Sequence, residues 1–349
     1  MSIAKSHQFG AASTHGMAIS GLLQSHYLRY CAQVVPAKAV DLLNAVLGSD
    51  LANMAQARRL EEHYGRLPSV EQELHEPLTS KELQLDHRLD PVLPAQERLY
   101  AMFDGGMLLY NSGYQEVKVG RVFRGSQIVA SPSDDEQGDQ RNRVLNSEYL
   151  VREGHYSDFV SHFAKLIKAQ QEVYPLAPLI VVTDGATWMR NWVAEAFPKA
   201  EHILDFYHAY EHLCEFATLL IGKEAERTVK LEKWKKQLKE GEVKSIIREV
   251  KMYSTHPKGS IVKAAAELLT YLTNNISRMQ YRTYRDKGYL TGSGAIESAV
   301  SSVVQQRCKL NGQRWDNGAQ PVLNLRSIYC SSKGRRMEKI INDQYQKVA

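Results

Sequence analysis

The stretch from Leu179 to Leu213, LIVVTDGATWMRNWVAEAFPKAEHILDFYHAYEHL, decides the fold. It begins with the continuous apolar run Leu179-Ile-Val-Val182, which is typical of a strand buried on both faces. The predicted helix that follows covers residues 188–197, has apolar residues at helical spacing and ends at Pro198. His202-Ile-Leu204 predicts a second short strand. The stretch therefore predicts a strand–helix–strand unit.

Each of these two strands ends in an acid. Asp184 follows the first strand and precedes Gly185, and Asp205 follows the second strand. In open α/β sheets, ligands bind at the carboxyl ends of the strands. Asp184 and Asp205 are therefore candidate site residues.

The residues before this unit predict antiparallel strands. Leu99–Phe103 is apolar and leads into Asp104-Gly105, residues 115–123 alternate in polarity, and residues 127–130 form a third short run. Residues 131–148 form a polar excursion.

An amphipathic helix is predicted over residues 156–171, between the antiparallel strands and the strand–helix–strand unit. The resulting element order is three antiparallel strands, a helix, a strand, a helix, a short strand and then helices. That is the order of an RNase-H-like domain. In such a fold the acid on the first strand, here Asp104, lies beside the acid that ends the fourth strand, here Asp184.

The composition of the 349 residues limits the function classes. The chain is 43% hydrophobic and 24% charged, and its net charge of +5 is compatible with a polyanionic partner. No apolar run approaches the roughly 20 residues of a membrane helix, and the first residues lack the apolar segment of a secretory signal. The four cysteines are far apart, so we expect reduced structural thiols in a cytosolic protein.

The N-terminal region, residues 1–97, predicts a small α-helical domain. Residues 1–16 are polar and are expected to be disordered, and the pattern from Met17 to Glu76 is helical. Several short helices in this order are compatible with a helix-turn-helix DNA reader, and equally with a small helical domain of another role. Residues 77–96 predict a polar linker.

After the strand–helix–strand unit the pattern is helical. Residues 213–290 predict an all-helical insertion, in which residues 222–251 have a lysine excess. Such a charged stretch is most often a solvated helical face, and the functional alternative is contact with a DNA backbone. Residues 291–349 then contain Gly292-Ser-Gly294, a helix with the early residue Glu297, and a basic tail.

Three acids, Asp104, Asp184 and Glu297, are the candidate catalytic residues, and each has an ordinary alternative. Asp-Gly is a common hairpin-turn dipeptide, an acid before a helix is a common cap, and a first-turn acid is favoured by the helix dipole. None of these alternatives predicts the joint arrangement of two acids at strands and one on a late helix.

Three blocks, in this order, resemble the core of DDE-type insertion-sequence transposases, and among these the bacterial ISKra-type group, which is related to Mutator-like elements. The blocks are Phe103-Asp-Gly105 with Glu116-Val-Lys-Val-Gly-Arg121; Asp184-Gly-Ala with Trp188, Ile203-Leu-Asp-Phe-Tyr-His208 and Glu211-His-Leu213; and Gly292-Ser-Gly-Ala-Ile-Glu-Ser298 with Gln306-Arg-Cys-Lys309 and Gly312-Gln-Arg-Trp315. The resemblance covers roughly residues 98–330.

The resemblance implies an RNase-H-like catalytic core, split by the all-α insertion, with Asp104, Asp184 and Glu297 as the metal-binding triad. Two Mg²⁺ or Mn²⁺ ions are the implied cofactors, because hard cations take oxygen ligands and two ions serve phosphodiester displacement. Asp205 and His208 are implied as supporting residues that contact DNA or orient the site.

The implied activity is DNA cleavage and strand transfer at the ends of an insertion sequence. Double-stranded DNA, as element ends and target, is the implied partner, and a homo-oligomer on DNA in the bacterial cytoplasm is expected. We predict that Arg307, Lys309, Arg314 and Trp315 bind DNA, with phosphate contacts that depend on salt and base stacking on Trp315.

Two further functions stay open at this point. One is a metal nuclease of the same fold that performs no strand transfer, and the other is a non-catalytic DNA-binding protein derived from a transposase. An α/β hydrolase is disfavoured because no Gly-x-Ser-x-Gly motif is present. A zinc protein is disfavoured because histidines and cysteines do not cluster at ligand spacing.

Overall fold

The computed structural model describes residues 19–77, 97–130, 142–316, 318–331 and 334–348. The protein has a mixed α/β fold that is 61% helical and contains a mixed five-stranded sheet. The predicted disordered N-terminus and nearly all of the predicted linker lie outside the described residues.

Seven strands in the described residues form two sheets. The strands are β1 (Leu99–Tyr110), β2 (Gly113–Arg124), β3 (Ile128–Ala130), β4 (Asn142–Val144), β5 (Glu148–Glu153), β6 (Leu179–Thr183) and β7 (Glu201–Leu204). The strand order in the larger sheet is β5-β2-β1-β6-β7, and β3 pairs with β4 in a separate two-stranded sheet. β6 runs parallel to both of its neighbours, β1 and β7, whereas β5 runs antiparallel to β2.

Helices make up most of the rest. They are α1 (Gly21–Cys31), α2 (Pro36–Leu47), α3 (Met54–Gly65), α4 (Pro68–Glu73), α5 (Tyr156–Val173), α6 (Thr187–Ala196), α7 (Phe206–Leu220), α8 (Glu224–Lys239), α9 (Val243–Lys251), α10 (Gly259–Asn275), α11 (Tyr281–Asp286), α12 (Gly294–Ala299), α13 (Gln306–Cys308), α14 (Gln320–Cys330) and α15 (Gly334–Val348). A π-helical turn, Val300–Gln305, lies between α12 and α13. None of the helices in the described ranges combines the length and apolar character that a bilayer crossing needs.

The predicted strand–helix–strand unit is confirmed as β6, α6 and β7. All five residues of β6 are buried, as the continuous apolar run requires. The predicted amphipathic helix is confirmed as α5, whose buried side chains Phe159, Phe163 and Ile167 lie on one stripe. The four cysteines are free thiols, as expected.

The third strand of the larger sheet was predicted wrongly. Residues 127–130 do not join it, because β3 pairs instead with β4. The strand beside β2 is β5, from Val117↔Glu153 to Val122↔Glu148. The apolar pattern of β5 is interrupted by two buried charged residues, Glu148 and Arg152. For this reason the sequence pattern did not predict the strand.

The Asp104-Gly105 dipeptide does not form a hairpin turn. β1 continues beyond it to Tyr110, and the turn to β2 falls at Asn111 and Ser112. Gly113, which follows that turn, has a φ of 114°, a conformation that favours glycine. Asp104 is therefore a strand residue.

The chain divides into two compact units. Unit 1 contains Met1–Glu97, Gly105–Ala177 and Ile296–Ala349, and unit 2 contains Arg98–Asp104 and Pro178–Ala295. Each unit is assembled from separate parts of the chain, and β1 supplies residues to both.

A buried polar cluster in unit 2 joins β6, β7 and the helical region. The Thr183 hydroxyl lies 2.9 Å from His202 Nε2, and Arg278 Nη1 lies 3.0 Å from the same nitrogen. Arg278 is buried. Burial, together with the charges of Arg278 and Arg190, lowers the pKa of His202 to about 3. His202 is therefore neutral in the folded protein at neutral pH.

We expect this histidine to make stability fall in acid. Below its ordinary pKa of about 6.5, the unfolded chain binds a proton at His202 that the folded protein does not. The contribution of neutral His202 to the free energy of unfolding is thus present above pH 6.5. It is lost as the pH falls toward 3, by up to about 1.4 kcal/mol per pH unit. Urea unfolding at several pH values measures this slope. His202→Gln should flatten it, and equal slopes for both proteins would contradict the assignment.

Candidate functional site

Asp104 and Asp184 are brought to the same level of the sheet by one strand pairing. β1 pairs with β6 in parallel register from Leu99↔Leu179 to Met102↔Val182. Asp104 and Asp184 each follow the last of these pairs by two residues. Because adjacent strands lie about 5 Å apart, this register sets the two aspartates side by side at the carboxyl end of β6.

Asp184 is also held by local hydrogen bonds. Its Oδ1 atom accepts a hydrogen bond of 2.8 Å from the backbone N–H of Ala186, which fixes the turn into α6. The N-cap of α6 is Ala186 and no side chain caps the helix, so Asp184 shapes the turn before α6 and does not have the predicted helix-capping role. A carboxylate has two oxygens and about four acceptor positions, so this bond leaves capacity for a cation.

Tyr271 of α10 packs directly on the turn after Asp184. A Cβ atom added at Gly185 would lie 2.3 Å from Tyr271 Cε2, so this close approach requires glycine. The Tyr271 ring also contacts His212, at 4.1 Å between ring centroids. Burial lowers the pKa of His212, and His208 lowers it further.

A cleft of about 440 Å³ opens beside this turn within unit 2. It is lined by Gly185, Thr187, Arg190, Ala266, Glu267, Thr270, Tyr271, Asn274 and Asn275. Arg190 is held there by a hydrogen bond of 3.3 Å to the backbone carbonyl of Asn274. The cleft therefore offers a positive side chain close to the Asp184 turn.

Asp205 is buried and tied to two segments of unit 2. Its Oδ1 atom accepts a 2.7 Å hydrogen bond from the His208 N–H and caps α7, and its Oδ2 atom accepts one from the Ser293 N–H. This position suits orientation of the Gly292–Gly294 loop. His208 is partly exposed, with Nδ1 lying 3.5 Å from Glu211 Oε2.

Glu297 lies in the first turn of α12, in unit 1. Its neighbour Ser298 accepts a 3.0 Å hydrogen bond from Arg121 Nη1, and Arg121 is buried on β2. A Cβ added at Gly106 would lie 3.4 Å from Val300 Cγ1, so the helix packs closely on the second half of β1. The π-helical turn that follows is a feature often found at functional sites.

The predicted DNA-binding residues have different surroundings in unit 1. Lys309 and Arg314 are exposed. Trp315 is partly exposed, and its Nε1–H donates to the Cys308 carbonyl at 3.0 Å. Trp234, in unit 2, is fully buried and donates to Glu249.

The predicted DNA contact of Arg307 does not fit its position. Arg307 is buried, and its Nη2 atom donates to Glu61 Oε1 at 2.6 Å. Its Nε–H donates to the Cys31 carbonyl at 2.8 Å. Burial raises the pKa of Glu61 to about 6, and Arg307 opposes that rise. Arg307 thus ties α13 to the N-terminal helices.

A basic cleft of about 1000 Å³ lies in unit 1, between the N-terminal helices and the C-terminal segment. Its lining includes the exposed side chains Arg58, Arg59 and Arg314, together with Trp315. Arg58 and Arg59 were not predicted as binding residues. Two adjacent arginines in a predicted helix could have suggested a binding surface. Their position in the same cleft as Arg314 depends on tertiary structure and cannot be predicted from the sequence.

The fold and the neighbouring aspartates define an α/β protein with a candidate carboxylate site at the carboxyl end of β6. The chain belongs to the uncharacterised protein family UPF0236, whose model matches residues 124–344. This family is associated with transposase-like proteins. Asp184 and Glu297 fall within the matched residues, and Asp104 precedes them. No curated protein matches the chain.

We expect Arg307→Met to lower the free energy of unfolding by about 3–5 kcal/mol, because the Glu61 carboxylate stays buried without its partner. Lys309→Met is the matched control, since an exposed substitution changes stability by about 0.5 kcal/mol or less. Urea unfolding measures both. Wild-type stability of Arg307→Met, with weakened DNA binding, would restore the DNA-binding prediction.

Proposed function

We propose that this protein is a DDE-type transposase that performs metal-dependent DNA cleavage and strand transfer at the ends of an insertion sequence. The observation that carries the proposal is the parallel β1–β6 register, which sets Asp104 beside Asp184. Phosphodiester chemistry with hard cations requires such converging carboxylates.

The strand order supports an RNase-H-like core. β1 is central, β2 and β5 lie on one side, and β6 and β7 lie on the other in parallel orientation. This arrangement places the acid of the first strand beside the acid of the fourth. Membership of a family associated with transposase-like proteins points in the same direction.

The donor set fits Mg²⁺ or Mn²⁺. Asp104 and Asp184 offer carboxylate oxygens, which are the ligands that hard divalent cations prefer. Glu297 keeps the third role that the sequence resemblance implies. When bound, two such ions would supply positive charge to a phosphodiester displacement.

Residues around the aspartates would keep them in place. The hydrogen bond from Ala186 N–H to Asp184 Oδ1 restrains that carboxylate, and the packing of Tyr271 on Gly185 restrains the turn. Asp205 would act as a positioning residue, because it is buried and holds the Ser293 N–H. Preorganised groups of this kind reduce the cost of ordering a reactive geometry.

The basic cleft of unit 1 is the proposed contact for the DNA backbone. Arg58, Arg59 and Arg314 are exposed and line one concave surface, where guanidinium groups suit phosphate oxygens. The partly exposed ring of Trp315 offers a stacking surface in the same cleft. An assembly of two or more copies on paired ends is part of the proposal.

We expect Asp104→Asn, Asp184→Asn and Glu297→Gln each to abolish Mg²⁺-dependent cleavage of DNA that carries the flanking repeats, with DNA binding retained. An amide keeps the shape of the side chain but loses the negative charge and one of the two acceptor oxygens, so it binds a divalent cation much more weakly. Asp286→Asn, an exposed acid at the end of α11, is the matched control and should cleave normally.

Three outcomes separate the alternatives. Cleavage without joining of the freed 3′ end to target DNA would favour a nuclease of the same fold. Equal cleavage by wild type and Asp184→Asn would leave Asp184 as a structural turn residue. Specific DNA binding without any Mg²⁺-dependent cleavage would favour a DNA-binding protein derived from a transposase.

The basic cleft predicts a change in salt dependence. The triple replacement of Arg58, Arg59 and Arg314 by alanine should weaken DNA binding. It should also reduce the steepness with which log affinity falls against log salt, by about 1 for each lost phosphate contact. Fluorescence anisotropy at several salt concentrations measures the slope. Replacing the exposed Lys258, Lys263 and Arg282 of unit 2 with alanine is the charge-matched control. Equal slopes for the two triple variants would assign DNA binding elsewhere.

A further inference from the structure

A second cluster of potential ligands lies in unit 1. It contains Glu71 of α4, His75 just after that helix, and His162 of α5. One ligand atom from each residue lies within 4.8 Å of the others. Sequence spacing disfavoured a zinc site because His162 is distant from the other two residues in the sequence. The fold brings the three side chains together.

The distances within the cluster suit one small cation. His162 Nδ1 lies 2.9 Å from His75 Nε2 and 3.3 Å from Glu71 Oε1. In a tetrahedral zinc site with bonds of about 2.1 Å, neighbouring ligand atoms are about 3.4 Å apart. The three atoms therefore approach the spacing of adjacent ligands.

The hydrogen-bonding state of His162 also suits a ligand. Arg152 Nη2 donates to His162 Nδ1 at 3.1 Å, and arginine has no acceptor, so Nδ1 carries a lone pair. The Nε2–H of the neutral ring then faces Asp158 Oδ1 at 3.5 Å. A carboxylate on the second ring nitrogen is the usual partner of a metal-bound histidine.

Arg152 is a positive group in contact with this cluster. It is buried on β5 and forms ion-pair contacts with Glu71 as well as the bond to His162. Its Nη1 atom also donates to Asn324 Oδ1 at 3.3 Å, and its Nε atom lies 3.8 Å from Asp158 Oδ2. These two partners can keep the guanidinium when it gives up Glu71 and His162.

We propose that Glu71, His75 and His162 form a binding site for a borderline divalent cation of the Zn²⁺ class, with Asp158 orienting His162 and with Arg152 as the competing internal cation. Two imidazole nitrogens and one carboxylate oxygen are ligands that Zn²⁺ takes readily, whereas Mg²⁺ prefers an all-oxygen set. The site is separate from the carboxylates of the proposed transposase centre. Its metal would link α4 to α5 and stabilise unit 1.

Equilibrium dialysis of the full chain against Zn²⁺ tests the site. We expect His75→Ala and His162→Ala each to weaken Zn²⁺ binding by about 100-fold, and Asp158→Asn by about 10-fold. His26→Ala is the matched histidine control and should bind as wild type does. Asp184→Asn should also bind Zn²⁺ normally, which separates this site from the proposed catalytic centre.

A second variant covers the case in which the histidine substitutions disturb folding. Arg152→Met removes the competing cation, so Zn²⁺ should bind more tightly and should raise the Tm of this variant more than that of wild type. Zn²⁺ binding that is abolished by Asp184→Asn and unchanged by His75→Ala would overturn the proposal. Absence of Zn²⁺ binding by both wild type and Arg152→Met would also overturn it, and would leave the cluster as a hydrogen-bonded junction.

Discussion

The parallel pairing of β1 with β6 is the interaction on which the candidate site depends. It joins Leu99–Met102 to Leu179–Val182 through apolar residues that are buried on both sides of the sheet. Such burial fixes register strongly, because a slip by one residue would send every side chain to the opposite face. The relative position of Asp104 and Asp184 is therefore set by the hydrophobic core, several residues away from either carboxylate.

The second acid-bearing strand, β7, contributes differently. It pairs with β6 up to Thr183↔Leu204, and the backbone N–H of Asp205 then donates to the Thr183 carbonyl at 2.8 Å. A carboxylate buried at this point is costly unless it is hydrogen-bonded. Asp205 meets that requirement by accepting from His208 and Ser293. One buried acid thus fixes both the start of α7 and the loop that precedes α12.

Local patterns in the sequence were sufficient for part of this structure. The continuous apolar run at β6 and the periodic apolar stripe of α5 are strong local patterns, and both elements formed as predicted. β5 was missed because its buried Glu148 and Arg152 have partners that a local pattern cannot reveal. Gln170 donates to Glu148 at 3.3 Å, and Asn324 accepts from Arg152 from more than a hundred residues away. The cluster at His75 and His162 was missed for the same reason.

Charge composition is an equally incomplete guide to the proposed DNA-binding surface. A basic chain suggests an anionic partner, but many of the arginines are buried and bind other groups of the protein. Buried arginines with partners inside the protein are Arg121, Arg124, Arg152, Arg278, Arg307 and Arg326. A buried guanidinium needs these partners because its desolvation is otherwise uncompensated. Arg307 and Arg314 lie close together in a basic tail, yet only Arg314 is exposed in a cleft with other exposed arginines. Burial, which depends on the fold, decides which positive charges can meet a phosphate.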